Sequence, residues 1–83
     1  MNRVLIRVYV PLLEKKYDVW VPINKSVYEI IISLIKGINS INKIEYDMEE
    51  IPNLYDKESS EIYNINSKII DTNIRNGSEV IIL

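Results

Sequence analysis

An 83-residue chain with 47% hydrophobic and 27% charged side chains can build one small core, so the sequence predicts one soluble globular domain over residues 1–83. The chain contains no cysteine and no histidine, which excludes thiolate nucleophiles, disulfides and the commonest zinc ligands. We therefore expect no enzyme activity, no metal and no cofactor. The net charge of −2 does not favour nucleic acid as a partner.

The start of the chain predicts a β-hairpin. Residues 3–10 place valine or isoleucine at every second position, which is the period of a half-buried strand. Pro11 ends this strand, residues 11–16 form the connection, and residues 17–21 alternate again. Because Arg7 interrupts the first apolar run, we do not interpret it as a secretion signal. No apolar stretch has the length of a membrane span, so we expect a cytoplasmic protein without direct membrane insertion.

A capped helix is predicted next. In the sequence Ser26-Val27-Tyr28-Glu29, the Ser26 hydroxyl can accept a hydrogen bond from an early helical amide while the Glu29 carboxylate accepts one from the Ser26 amide. The apolar side chains that follow have helical spacing and form one continuous face: Val27, Ile30, Ile31, Leu34, Ile35 and Ile38. Gly37 or Asn39 is predicted to end the helix in the left-handed conformation.

The second half of the chain predicts short strands joined by turns. In chain order, the predicted elements are a polar loop over residues 39–50, a strand over 51–56, a turn over 57–60, a short strand over 61–63, a helical turn near 67–70, the turn Asn76-Gly77, and a last strand over 80–83. In the last strand, Val80 and Ile82 are expected to face the core.

This order of elements predicts an α+β fold of the β-grasp type, with one helix across one face of a mixed sheet of four to five strands. The first and last strands pair in parallel at the centre, so the uniformly apolar residues 80–83 are not an exposed edge. The predicted core consists of Ile6, Val8, Val19, Val21, Val27, Ile30, Ile31, Leu34, Ile74, Val80 and Ile82.

The closing segment, residues 69–83, resembles that of ubiquitin-like proteins. It contains an isoleucine pair, an acidic residue, an isoleucine expected to be buried, a glycine-containing turn and the final strand. Together with the hairpin and the capped helix, the resemblance covers the whole chain and implies a ubiquitin-like β-grasp. Within that superfamily the chain resembles the bacterial YukD/EsaB group, whose members are short and end at the last strand without a diglycine tail. That similarity implies a small, non-catalytic cytoplasmic accessory or regulatory protein of a type VII (ESX-like) secretion system, with a protein partner in that apparatus.

The end of the sequence bears on two other ubiquitin-like roles. Covalent modifiers and sulfur carriers require a terminal glycine carboxylate, whereas here the sequence ends at Leu83 without a diglycine tail. We therefore expect neither role. A dimerising assembly subunit is the remaining alternative.

The predicted functional surface is the sheet face opposite the helix. The side chains expected to project from it are Leu5, Tyr9, Trp20, Tyr55 and Ile81, with Arg3 and Arg7 at their border. Aromatic and arginine side chains are enriched at protein interfaces, and strands about 4.8 Å apart would join these residues into one continuous patch. A protein partner or a second copy of the chain is expected to cover the patch. In the alternative interpretation the rings merely cover the sheet, or a loop buries Trp20.

Three further groups of residues receive structural interpretations. Tyr28 and Ile32 lie four apart on the outward side of the helix and are predicted to pack on each other, with a second contact surface as the alternative. The acidic side chains at positions 45, 47, 49 and 50 lack the spacing of a calcium loop and are predicted to be solvated. Ser59-Ser60 lies in a predicted turn, and no histidine is present to activate a hydroxyl.

Overall fold

Four strands form one mixed sheet in the part of the chain that the computed structural model describes, residues 2–42 and 50–83. The elements are β1 (Arg3–Val10), β2 (Lys15–Pro22), α1 (Val27–Asn42), β3 (Leu54–Asp56) and β4 (Glu79–Ile82), with short 3-10 turns at Pro11–Leu13 and Ile69–Asp71. The strand order is β2-β1-β4-β3, and β1 pairs in parallel with β4 at the centre. This arrangement confirms the predicted α+β architecture with its central parallel pair.

The β1–β2 hairpin is longer than predicted. A 3-10 turn follows β1, and Glu14 closes it in the left-handed conformation with φ of 53° while its amide donates to the Pro11 carbonyl at 3.1 Å. The chain reverses within this turn, so Lys15 already pairs with Val10. The second strand therefore begins two residues before the predicted position.

The predicted capping box begins α1. The Glu29 amide donates to the Ser26 hydroxyl at 3.1 Å, and the Ser26 amide donates to a Glu29 carboxylate oxygen at 3.4 Å. The predicted end of the helix is wrong, because α1 continues through Gly37 and Asn39 to Asn42. Ile38 is buried, so the apolar face of the helix goes on packing past Gly37, and this packing outweighs the low helix propensity of glycine.

The core lies between α1 and the sheet. Every predicted core residue is buried except Val19, which is half-buried because β2 is an edge strand. The core also includes apolar residues that the sequence-based set omitted: Val4, Val10, Ile35, Ile38, Leu54 and Ile69. The last two belong to the second half of the chain and have no exposed surface.

The region between α1 and β4 is less regular than predicted. The predicted strand over residues 51–56 contracts to β3, and the predicted strand over 61–63 reduces to one bridge between Tyr55 and Ile62. Pro52 has no amide proton to donate to a ladder, which is consistent with the late start of β3. The predicted helical turn lies at Ile69–Asp71, shifted by one to two residues. Of the predicted 39–50 loop, the first residues belong to α1, and positions 43–49 lie outside the described residues.

Candidate functional site

The strand register brings the predicted surface residues onto the face of the sheet opposite α1. Leu5 on β1 lies opposite Trp20 on β2. Tyr9 on β1 lies opposite Ile81 on β4, which in turn lies opposite Tyr55 on β3. Side chains alternate between the two faces of a strand, and the neighbours of these residues within β1 and β4 are buried in the core. We call this face the outer face.

A charged row crosses the outer face between its apolar residues. Arg7 lies between Leu5 and Tyr9 on β1, and its Nε is 3.0 Å from a carboxylate oxygen of Asp18. Its guanidinium is also 4.0 Å from Glu79, whose other carboxylate oxygen is 3.2 Å from Lys57 Nζ. We call Asp18, Arg7, Glu79 and Lys57 the charged row.

The charged row divides the apolar surface into two parts, so the face is not the continuous patch that the sequence predicted. One part is the tryptophan pair, Trp20 and Leu5. The other is the tyrosine row, Tyr9, Ile81 and Tyr55, whose side chains are half-buried. The outer face thus presents apolar side chains on both sides of a line of charge.

Trp20 is the most exposed aromatic anchor of the outer face. Its exposed fraction is 53%, and in the described part of the chain no loop buries it. The guanidinium carbon of Arg3 lies 5.5 Å from the ring centroid, which is the distance of a cation–π contact. Leu5, directly opposite, is 36% exposed. The tryptophan pair is thus an open apolar contact with a cation beside it.

The ion pairs of the charged row are exposed at the protein surface. The hydrogen bond and the charge of Asp18, followed by the charge of Glu79, raise the pKa of Arg7 above its ordinary value. Both side chains of the Arg7–Asp18 pair are at least half exposed, and such pairs contribute little to folding.

A polar cluster that the sequence did not predict lies at the other edge of the sheet. The Tyr63 hydroxyl donates to the Asn73 side-chain oxygen at 2.7 Å, and the Asn73 amide group donates to Asp56 at 3.1 Å. A shallow depression of about 440 Å³ adjoins it. These three residues are far apart in the sequence, so no spacing pattern predicts the cluster.

The protonation of this cluster follows from its contacts. Burial, and then the charges of Asp56 and Glu61, raise the pKa of Tyr63 to about 12. The hydrogen bonds from Asn73 and from the Glu58 amide lower the pKa of Asp56. Both groups thus keep their ordinary charge states at neutral pH, and the cluster ties the turn after β3 to the segment before β4.

The remaining sequence-predicted groups form no chemical site among the described residues. Tyr28 is exposed and its amide donates to the Ile65 carbonyl at 3.0 Å, while Ile32 is half-buried. The acidic positions 45, 47 and 49 lie outside the described residues, and Glu50 is exposed. In residues 2–42 and 50–83 no three metal-ligating side chains cluster. Ser59 caps its turn by accepting from the Glu61 amide at 3.2 Å.

Within the same described ranges, α1 and the shorter helical turns fall short of the length and apolar character that a membrane crossing requires.

Solved structures share this fold across the chain. The ubiquitin-like domain of the Mycobacterium tuberculosis type VII secretion system protein EccD1 is 9% identical, with a TM-score of 0.79 and coverage of 100% of this chain and 99% of that one. The EccD5 ubiquitin-like domain from Mycobacterium xenopi is also 9% identical, with a TM-score of 0.81 and coverage of 100% and 94%.

A chain of the MycP5-free ESX-5 inner membrane complex is 13% identical, with a TM-score of 0.81. The match covers 100% of this chain but 21% of that one, so this chain spans about a fifth of its length. At these identities the likeness shows the fold, which is the ubiquitin-like β-grasp that the sequence predicted. No family model matches the chain, and no curated protein matches it.

Proposed function

We propose that this chain is a non-catalytic ubiquitin-like interaction domain that acts in the bacterial cytoplasm as an accessory or regulatory component of a type VII secretion system, in the manner of the YukD/EsaB group. It acts by docking its outer face onto a cytosolic part of the secretion apparatus. The domain comprises residues 1–83.

The observation that carries this proposal is the exposure of the tryptophan pair. Trp20 is 53% exposed and lies opposite the exposed Leu5 on a sheet face that no helix covers in the described part of the chain. Tryptophan and arginine dominate the binding energy of protein interfaces, and Arg3 stacks on this ring. The fold likeness to ubiquitin-like domains of EccD proteins supports the choice of secretion apparatus.

The charged row gives the docking surface its selectivity. Its charges alternate in sign from Lys57 to Asp18 across the sheet. A partner that places an unpaired charge over this row loses affinity through desolvation and like-charge contact. The half-buried tyrosine row beyond it adds apolar area, whereas the charged row fixes the orientation of the partner.

The experiment compares two variants that replace an exposed apolar side chain by glutamate. Trp20→Glu should weaken binding to purified cytosolic regions of a type VII secretion complex about thirtyfold or more, which corresponds to a hot-spot contribution of about 2 kcal/mol. Leu12→Glu is the matched control, because Leu12 is 67% exposed in the turn after β1 and lies outside the outer face. Binding is measured by calorimetry with components from the organism that encodes the chain.

Both variants should unfold cooperatively with nearly unchanged midpoints, since surface substitutions usually alter stability by less than about 0.5 kcal/mol. Equal affinity of Trp20→Glu and Leu12→Glu for the secretion components would contradict the proposal. Loss of secretion in cells that carry Trp20→Glu, but not in cells that carry Leu12→Glu, would extend it from binding to function.

A further inference from the structure

The strand β2 leaves a row of backbone hydrogen-bonding groups open at the edge of the sheet. The Ile23 amide donates to the Asn2 carbonyl at 2.9 Å, which fixes the alternation of the antiparallel ladder. Lys15, Tyr17, Val19 and Val21 therefore bond to β1. The amides and carbonyls of Lys16, Asp18 and Trp20 point away from β1, and no backbone group of the described residues pairs with them.

On the helix side of the same edge, an apolar groove runs between β2 and α1. Its volume is about 560 Å³. Tyr17 and Val19 form its strand side and are only half-buried, while Ile41 on the helix side is 68% exposed. Gly37 also lines the groove, and a Cβ atom there would meet nothing within 4 Å. The edge thus combines open backbone groups with an uncovered apolar surface.

On the outer side of this edge, the charged row ends at Asp18. The alternation Lys57, Glu79, Arg7, Asp18 stops with a negative charge on the edge strand. Lys16 is exposed two residues away on the same strand and face and has no ion pair among the described residues. A positive charge beyond Asp18 would continue the alternation.

We propose that β2 pairs antiparallel with β2 of a second copy of this chain, with the two-fold axis at Tyr17. In this register Lys16 lies opposite Asp18 of the second copy, and Asp18 lies opposite Lys16 of the second copy. Both of these pairs are of the hydrogen-bonded type, because they use the outward-pointing backbone groups. The charged row then continues across the axis with alternating sign, and the two four-stranded sheets become one sheet of eight strands.

The same axis joins the two apolar grooves. A two-fold axis perpendicular to the sheet places both α1 helices on one face, so the Tyr17 and Val19 side chains of the two copies meet between them. The outer face of each copy remains on the opposite side. The dimer therefore does not depend on the proposed secretion partner.

The charges select this register over its neighbours. With the axis at Asp18, two carboxylates would oppose each other, and with the axis at Lys16, two ammonium groups would do so. With the axis at Val19, Lys16 faces Pro22 of the second copy, and no opposite charges pair. Of the four registers compared, only the one with its axis at Tyr17 gives two attractive cross-strand pairs.

The first test is the oligomeric state, measured by sedimentation velocity over a concentration series. The native chain should dimerise, and Lys16→Glu should weaken the dimer about tenfold or more, because it turns two attractive cross-strand pairs into two repulsive ones. Lys36→Glu is the matched control, because it makes the same charge change at an exposed position of α1. A chain that stays monomeric at millimolar concentration, or equal effects of both variants, would overturn the proposal.

The second test reads the register by cross-linking, since the chain has no native cysteine. Tyr17→Cys places two thiols at a non-hydrogen-bonded pair with Cα atoms about 4.5 Å apart, which is within the range of a disulfide. Tyr17→Cys should therefore form a covalent dimer under mild oxidation, whereas Val19→Cys and Tyr9→Cys should not. Faster cross-linking at Val19 would refute the axis at Tyr17, and faster cross-linking at Tyr9 would place the contact on the outer face instead.

Discussion

Truncation of Ile31 to alanine tests the packing of α1 on the sheet. Ile31 has no exposed surface and lies on the apolar face of the helix. Removing three methyl or methylene groups from such a site costs about 2–5 kcal/mol, which includes the cavity left behind. A chain of this length is expected to have a free energy of unfolding of roughly 4–12 kcal/mol, so the change should remove at least about a sixth of it.

Ile41→Ala is the matched control on the same helix. Ile41 is 68% exposed, so the same chemical change should alter the free energy of unfolding by about 0.5 kcal/mol or less. Urea denaturation followed by circular dichroism measures both variants, with the slope of the transition as a check that unfolding remains two-state. Similar losses for Ile31→Ala and Ile41→Ala would refute the placement of the helix.

Further predictions concern the N-terminal cap of α1, the two glycines, and the loss of stability at high pH. Ser26→Ala removes the hydroxyl that accepts from an early helical amide and should cost about 1 kcal/mol in the same urea assay. Gly37→Ala should stabilise the fold by about 0.5–1 kcal/mol, because Gly37 is helical and a Cβ atom there would meet open space. Gly77→Ala should destabilise the fold by about 1–2 kcal/mol, because φ at Gly77 is +86°. The pKa of Tyr63 is raised to about 12. The stability that its neutral hydroxyl contributes is therefore complete below the unfolded pKa near 10, and it is lost as pH rises through about 12. Spectrophotometric titration should show a late-titrating component that Tyr63→Phe removes, and no difference between the native chain and Tyr63→Phe at high pH would contradict this assignment.

The sequence predicted those parts of the fold that depend on local periodicity. The alternation of β1 and the spacing of the apolar side chains of α1 each bury one face of a regular element, so the buried set is readable from the pattern. The capping box is also local, and its two hydrogen bonds formed as predicted. The end of α1 was missed because tertiary packing of Ile38 overrides the preference of Gly37 to end a helix.

The sequence predicted which residues lie on the outer face, but not how apolar and charged side chains are arranged on it. The pleat alone placed Trp20 and Leu5 on the outer face, because alternate residues of a strand point the same way. The pairing of Arg7 with both Asp18 and Glu79 depends on the register of three strands, which no local signal specifies. The charged row, and with it the division of the apolar surface, therefore emerges only in the folded structure.

The cluster around Tyr63 shows the same limit. Its partners are Asp56 at the end of β3 and Asn73 in the segment before β4, and the long-range pairing of β3 with β4 brings these segments together. Their residue types and spacing are those of ordinary turn residues, so the sequence does not predict the cluster.

The outer face is proposed to bind a cytosolic part of a type VII secretion apparatus. The most direct measurement is an amide nuclear magnetic resonance titration of the isotope-labelled chain with purified cytosolic regions of that apparatus. Such binding should cause saturable shift changes at Leu5, Tyr9 and Trp20 and at the facing residues Tyr55 and Ile81, with the solvent side of α1 unchanged. Shift changes confined to α1, or none at saturating concentrations of these regions, would contradict it.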